Sequence, residues 1–410
     1  MRWSRIRRRL FLFLVVMGPG IITANIDNDA GGITTYSIAG AQYGYGLIWS
    51  LIPTTLSLIV VQEMCSRMGV VTGKGLAELI RERFGVRVTL AVMACLVLAN
   101  LANTAAEFAG VAASLEIFGI SKLLSVPLVA VLMGWLVVHG SYRFVERVFL
   151  AASVVYLVYI PSAVLANPPW AEILRQTLQP VFRLDGGYLT MLITVIGTTI
   201  APWMQFYQQS SVADKGIRIK EYRYARWDVI IGCIMTDVVA FFIIVACAAT
   251  LFAHQVPIES AKDAALALEP LAGRYASLLF AVGLLNASVF ASAILPLSTA
   301  YAVCEGLGWE TGISRTPREA PAFFSIYIGM IVLGAGLIML PRAPLLQILF
   351  LSQTLNGLLL APVLIFMLIL INDREVMGNH VNSVAFNLVA WGTAAVMIAL
   401  SGLLLITSFV

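Results

Sequence analysis

A chain of 410 residues that is 60% hydrophobic and only 12% charged cannot cover itself for water, so it belongs in a bilayer. Its formal net charge of +4 is dispersed in small basic groups among apolar segments, which excludes the continuous basic face that a nucleic-acid partner would need. Its cysteines (Cys65, Cys95, Cys233, Cys247 and Cys304) are odd in number and scattered, so they are expected to be packing residues rather than a disulfide framework or a thiolate metal site.

The basic start, residues 1–9, feeds an apolar segment that continues past Asp29 without a small-residue cleavage pattern, so this first segment is expected to stay. From there, apolar runs of about 18 residues or more recur, long enough to cross roughly 30 Å of hydrocarbon as helices. Stretches such as 238–251 and 386–406 lack the alternation of barrel strands. The expected fold class is all-α integral membrane, one domain over residues 1–410. Spans are predicted near residues 25, 57, 99, 130, 155, 200, 241, 288, 331, 358 and 396.

Placing the amino terminus in the cytoplasm puts there Arg2, Arg5, Arg7, Arg8, Arg9, the 67–87 loop, Arg143, Arg147, the 215–226 loop, Arg315, Arg318 and Arg374. Lys122, Arg175, Arg183, Lys262, Arg274 and Arg342 fall on the other face, so 20 of the 26 basic residues lie inside. The expected location is a prokaryotic plasma membrane, with the chain multi-pass and acting as a monomer.

Polar residues inside spans are informative because hydrocarbon offers no partner for open backbone or an isolated charge. The first span carries Asp27-Asn28-Asp29-Ala30-Gly31-Gly32, and the sixth carries Gly197-Thr198-Thr199-Ile200-Ala201-Pro202. Pro202 lacks a donor and Gly31 and Gly32 weaken a helix, so both spans are predicted to unwind there. Spans one and six are five apart, and an odd number returns the second unit from the opposite side, as in an inverted repeat. The expected units are about 11–166 and 189–372, with an extra helix at about 384–408. Asp29, at mid-span, needs a cation. Asp27 is open between binding and a structural role, Asp237 and Glu107 between internal polar links and an ion path, and Glu63 is expected to reach polar solvent. The histidines (His139, His254 and His380) fall at span ends or in loops, and none makes a convincing metal ligand.

At these residues the sequence resembles the NRAMP family of divalent transition-metal transporters, which have the leucine-transporter fold. Gly18-Pro19-Gly20, Asp29-Ala30-Gly31-Gly32 and Ala41-Gln42-Tyr43-Gly44-Tyr45 follow the family's GPG, DPGN and G-S-Q-F-G-Y. Arg67-Met68-Gly69-Val70-Val71-Thr72-Gly73 resembles RLGIVTG, Ser352-Gln353 a tenth-helix SQ, and Met377-Gly378-Asn379-His380-Val381-Asn382 the pattern M-G-x-x-V-N.

The resemblance implies a metal site of Asp29, the carbonyls of Ile26 and Thr198, and the positions of Gly32 and Ala201, with Gln353 joining when the outer side closes. Gly32 stands where the family has Asn and Ala201 where it has Met. Loss of a soft thioether favours hard cations, and Mg²⁺ keeps several waters when bound by one or two carboxylates. This pattern resembles the NRAMP-related magnesium transporters, a branch of that family. Thr104 and Trp203 replace an Asp and a His of the family's proton relay, Glu107 survives, and Gln208 stands at a second His. The expectation is therefore import of Mg²⁺, and also of Mn²⁺, as partly hydrated ions by alternating access without proton coupling and without any resident cofactor. The alternative is a proton-coupled importer of Mn²⁺ or Fe²⁺. An amino-acid transporter of the same fold is opposed by Asp29, which would repel a substrate carboxylate, and an intramembrane metalloenzyme by the lack of H-E-x-x-H.

Overall fold

The computed structural model describes residues 18–139, 159–259, 261–268, 273, 276–341 and 343–408. The first elements are α1 (Pro19–Asn25), α2 (Ala30–Tyr43), α3 (Leu51–Thr72), α4 (Leu76–Glu116) and α5 (Lys122–His139). They are followed by α6 (Tyr159–Leu165), α7 (Trp170–Leu178), α8 (Gly186–Thr199), α9 (Pro202–Asp214) and α10 (Tyr222–Cys247), which a π-turn at Ala248–Phe252 prolongs. The remainder is α11 (Ala261–Ala265), α12 (Ala276–Leu307), α13 (Pro321–Met339), α14 (Leu345–Asn372), α15 (Arg374–Met377) and α16 (Val384–Ser408). Among the described residues there is no strand, and nine helices are long and apolar enough to cross a membrane, α8 and α9 counting as one. The broken α1–α2 pair supplies a further predicted span. The span predicted near residue 155 lies largely outside the described residues, as do Arg2, Arg5, Arg7, Arg8, Arg9, Arg143, Arg147, Arg274 and Arg342.

The expected 67–87 loop is helix almost throughout. α3 runs to Thr72 and α4 begins at Leu76. As one straight rod the 41 residues of α4 would measure about 60 Å, twice the hydrocarbon thickness. Gly85, at φ 81° and ψ 170°, breaks it, so the charged residues Glu78, Arg81, Glu82 and Arg83 leave the direction of the span that follows.

Membrane helices associate through small residues that let backbones approach, and both broken segments are docked this way. A Cβ on Gly20 of α1 would lie 2.6 Å from the Val229 nitrogen of α10, and one on Gly232 would lie 2.8 Å from the Gly20 carbonyl oxygen. A Cβ on Gly357 of α14 would likewise lie 2.5 Å from the Ile193 carbonyl oxygen of α8. Asp228 of α10 then caps α1, accepting from the Gly18 nitrogen at 3.1 Å and the Gly20 nitrogen at 2.7 Å. The GPG motif is thus a helix start fastened to α10. Gly20→Ala is expected to lower stability by about 1–3 kcal/mol through overpacking against backbone, read as a lower unfolding temperature in detergent.

Glu63 does not reach solvent: it is 2% exposed. Arg67, one turn along α3, lies 3.1 Å from one of its oxygens, and the Tyr222 hydroxyl donates to the other. Of the cysteines, Cys65, Cys233, Cys247 and Cys304 are buried as packing residues, and Cys95 is exposed.

Candidate metal site

The first break is built by residues that compete with helical hydrogen bonding. Asn and Asp side chains offer the backbone alternative partners. After Asn25 the chain tightens into a 3₁₀ turn, Ile26–Asn28, and Asp29 adopts extended backbone as the cap of α2. Its Oδ1 accepts from the Gly32 nitrogen at 2.6 Å. At the second break α8 ends with Thr199, Ile200 leaves helical geometry, and Ala201 is extended ahead of Pro202, whose fixed φ and missing N–H suit the first position of α9.

The two breaks meet. Tyr36 of α2 and Thr199 of α8 share a hydroxyl hydrogen bond of 2.8 Å. The Thr198 hydroxyl oxygen lies 3.3 Å from where a Cβ on Gly32 would be. Across α2, the Gln353 side chain of α14 packs on Gly31. Glu107 of α4 accepts from the Ala30 nitrogen at 3.3 Å, so Asp29 and Glu107 share the N-terminus of α2, the end where helix N–H groups favour negative charge. Asp29, Glu107, Thr198 and Gln353 are all buried. Among the described residues no basic side chain pairs with Asp29 or Glu107.

The Nramp family description, Natural resistance-associated macrophage protein-like, matches residues 20–407. The chain belongs to the Nramp family. Similar curated Nramp relatives are the divalent metal cation transporters MntH of Deinococcus radiodurans, 28% identical over 97% of this chain and 90% of that protein, and of Bacillus subtilis, 24% identical over 97% and 93%. Among solved structures, a manganese transporter of Eremococcus coleocola in complex with an aromatic bis-isothiourea substituted compound superposes with a TM-score of 0.79. It is 21% identical, with 95% of this chain and 85% of that chain covered. MHP1, a nucleobase-cation-symport-1 family transporter in a closed conformation, gives a TM-score of 0.57 at 17% identity over 95% and 91%. The fold of this Nramp chain is leucine-transporter-like, multi-pass and all-helical.

Of the Nramp positions read from sequence, Asp29, Gly32, Thr198 and Gln353 come together at α2, with Glu107 beside them. The Ile26 carbonyl already accepts the Asp29 N–H at 2.9 Å, and Ala201 is buried three residues beyond Thr198. The space beside Gly32 is filled: a Cβ there would overlap the Asp27 carbonyl oxygen. The 3₁₀ turn folds that oxygen back over Gly32, so a backbone oxygen occupies the space in which a side chain at this position would start.

Thr104 is directed elsewhere, its hydroxyl donating to the Asn100 carbonyl at 2.7 Å and its methyl packing on Gly334 of α13. Trp203 is buried, its ring 6.4 Å from that of Tyr207 and its backbone carbonyl accepting from Ser298 of α12 at 3.0 Å. Gln208, at the second His position, accepts from Thr23 of α1 at 2.8 Å. Asp27 and Asp237 are both buried.

Sequence reasoning missed what holds Gln353. Asn356, one turn further along α14, donates to Gln353 Oε1 at 2.8 Å and exchanges hydrogen bonds of 2.8 and 3.1 Å with Asn103 of α4. The available signal was the i, i+3 spacing of Gln353 and Asn356 together with the polar stripe Asn100, Asn103, Glu107 on α4.

Among the described residues no three His, Cys, Asp or Glu side chains are grouped to hold a metal. A cation at Asp29 would therefore rest on carboxylate, carbonyl, hydroxyl and amide oxygens plus solvent.

Proposed function

We propose that this Nramp-family chain carries divalent metal cations across the membrane, Mg²⁺ foremost and Mn²⁺ as well, as partly hydrated ions. The ion sits at Asp29 between the two helix breaks, with the Ile26 and Thr198 carbonyls and, on closure, Gln353. The observation that carries the reading is Asp29 itself: a buried carboxylate, with no basic partner among the described residues, in a surround that offers oxygen. A charge at this depth costs at least about 2.5 kcal/mol, which a cation offsets. Where the family pattern has a thioether, Ala201 has a methyl, so the preference for soft metals is lost. Mg²⁺ surrenders its water reluctantly, and one carboxylate with retained water suits it.

Transport proceeds by alternating access, the broken helices moving against the rest. The amino terminus lies in the cytoplasm, the chain acts as a monomer in a prokaryotic plasma membrane, and residues 11–166 and 189–372 are its inverted units. The driving force is the membrane potential. Each charge crossing 100 mV is worth about 2.3 kcal/mol, so a dication gains roughly 4.6 kcal/mol, an accumulation of about 10³.

Glu107, buried against the same helix end, favours the second reading, a proton-coupled importer of Mn²⁺ or Fe²⁺. Both readings meet one experiment. In liposomes with an inside-negative potential, the protein is expected to accumulate Mg²⁺ at constant internal pH, and excess Mg²⁺ to block Mn²⁺ uptake. Acidification in step with the metal would establish the coupled reading, and Mn²⁺ uptake indifferent to Mg²⁺ would remove the magnesium assignment.

A further inference from the structure

Two residues before Asp29 the unwound segment carries another acid that the site above does not use. Asp27 is 2% exposed, and Asp237, midway along α10, is 5% exposed. Neither oxygen of either carboxyl has a hydrogen-bond partner among the described residues. The Thr55 hydroxyl approaches Asp237 but gives its proton to the Leu51 carbonyl, 2.7 Å away.

Asn28 brings these acids to one place. Its Nδ2 donates to Thr236 Oγ1 at 2.6 Å and to the Thr236 carbonyl at 3.3 Å. The residue after Asp27 is thereby pinned to the residue before Asp237. The Asn28 Oδ1 is likewise without a partner, and no basic side chain among the described residues pairs with either acid.

Two carboxyls and an amide oxygen, all buried, all unsatisfied and carried by residues adjoining one Asn28–Thr236 contact, are an expensive arrangement in a low-dielectric slab. A buried acceptor left without a donor keeps its full desolvation cost, and a charged one costs more. An ordinary structural acid would show a donor. A shared dication satisfies the oxygens at once, and two carboxylates with retained water are a usual Mg²⁺ set, which Mn²⁺ also accepts.

We propose that Asp27 and Asp237, with the Asn28 amide oxygen, form a second divalent-cation site, distinct from Asp29 and placed between the unwound first helix and α10. It shares with the proposed function only the premise that this chain handles a divalent cation.

Equilibrium binding of Mn²⁺ to the full-length protein in detergent tests it by stoichiometry. Two ions per chain are expected for the parent, one for Asp29→Ala and one for the double variant Asp27→Asn with Asp237→Asn. A single ion in the parent, lost in Asp29→Ala and kept in the double variant, would overturn this site while leaving the proposed function standing. A single ion kept in Asp29→Ala and lost in the double variant would support the Asp27–Asp237 site and remove the role given to Asp29. Should the double variant not remain monodisperse, Asp237→Asn alone decides. It keeps shape and hydrogen-bonding capacity, and one of the two affinities is expected to weaken by at least about 10-fold. Two unchanged affinities in that variant would overturn the site.

Discussion

Asp29→Asn is expected to lower Mg²⁺ uptake at least about 100-fold while leaving the fold intact. Loss of a group that merely supports a metal ligand commonly costs about 10–100-fold in affinity, so loss of the only carboxylate expected to touch the ion should cost no less. The pairing with Asp29→Ala separates two duties of one side chain. Asp29 also caps α2 through the Gly32 nitrogen at 2.6 Å, and an Asn oxygen can accept that bond whereas Ala cannot. Ala therefore adds a folding penalty of about 1 kcal/mol that Asn avoids. The measurement is initial uptake into liposomes beside thermal unfolding in detergent. Both variants should be inactive, with the unfolding temperature lowered only for Ala. An Asn variant that moves Mg²⁺ at the parent rate would dismiss Asp29 as the ion's partner.

The breaks were legible because their cause is local. A Pro and an acidic run inside apolar spans interrupt helices whatever surrounds them, and both spans break within the marked runs, at Ile26–Asp29 and Ile200–Ala201. Gly31, Gly32, Gly197, Thr198 and Thr199, expected to unwind, stay helical because a glycine weakens a helix without capping it. What fills the interruptions was not legible. That the Asp27 carbonyl would lie over Gly32 depends on the 3₁₀ geometry of Ile26–Asn28, and residue types alone leave that geometry open. Distance along the chain hid other partners. The GPG motif was visible, but Asp228, which caps it, lies more than 200 residues away and gave only the weak signal of an acid near the start of a span. Glu63 was misread for the same reason. Its i+4 partner Arg67 was readable, but Tyr222 was not, and a charged residue near a span end ordinarily goes to water.

Arg67→Ala is expected to destabilise the fold by about 3–5 kcal/mol, because it strands a buried partner. The guanidinium lies 3.1 Å from Glu63, 2.5 Å from Asn382 Oδ1, and 3.0 and 3.1 Å from the carbonyls of His380 and Val381, with the Phe386 ring at 5.4 Å. Taking it away leaves Glu63 buried without its ion-pair partner, keeping the Tyr222 hydroxyl, and frees two carbonyls. Lysine cannot replace the planar fork that reaches these acceptors together, so Arg67→Lys should recover only part of the loss. Glu63→Gln, which still offers an oxygen, should cost less than either. Thermal unfolding in detergent orders the three, and a double-variant cycle of Arg67→Ala with Asn382→Ala should show coupling of at least about 0.5 kcal/mol. The contact joins two motifs that the sequence presents more than 300 residues apart, the one containing Arg67 and the one ending in Asn382. Their spacing makes sense as two halves of one clasp between α3 and the turn leading into α16. An Arg67→Ala protein that unfolds at the parent temperature would show that the clasp carries no stability and that the motifs meet for another reason.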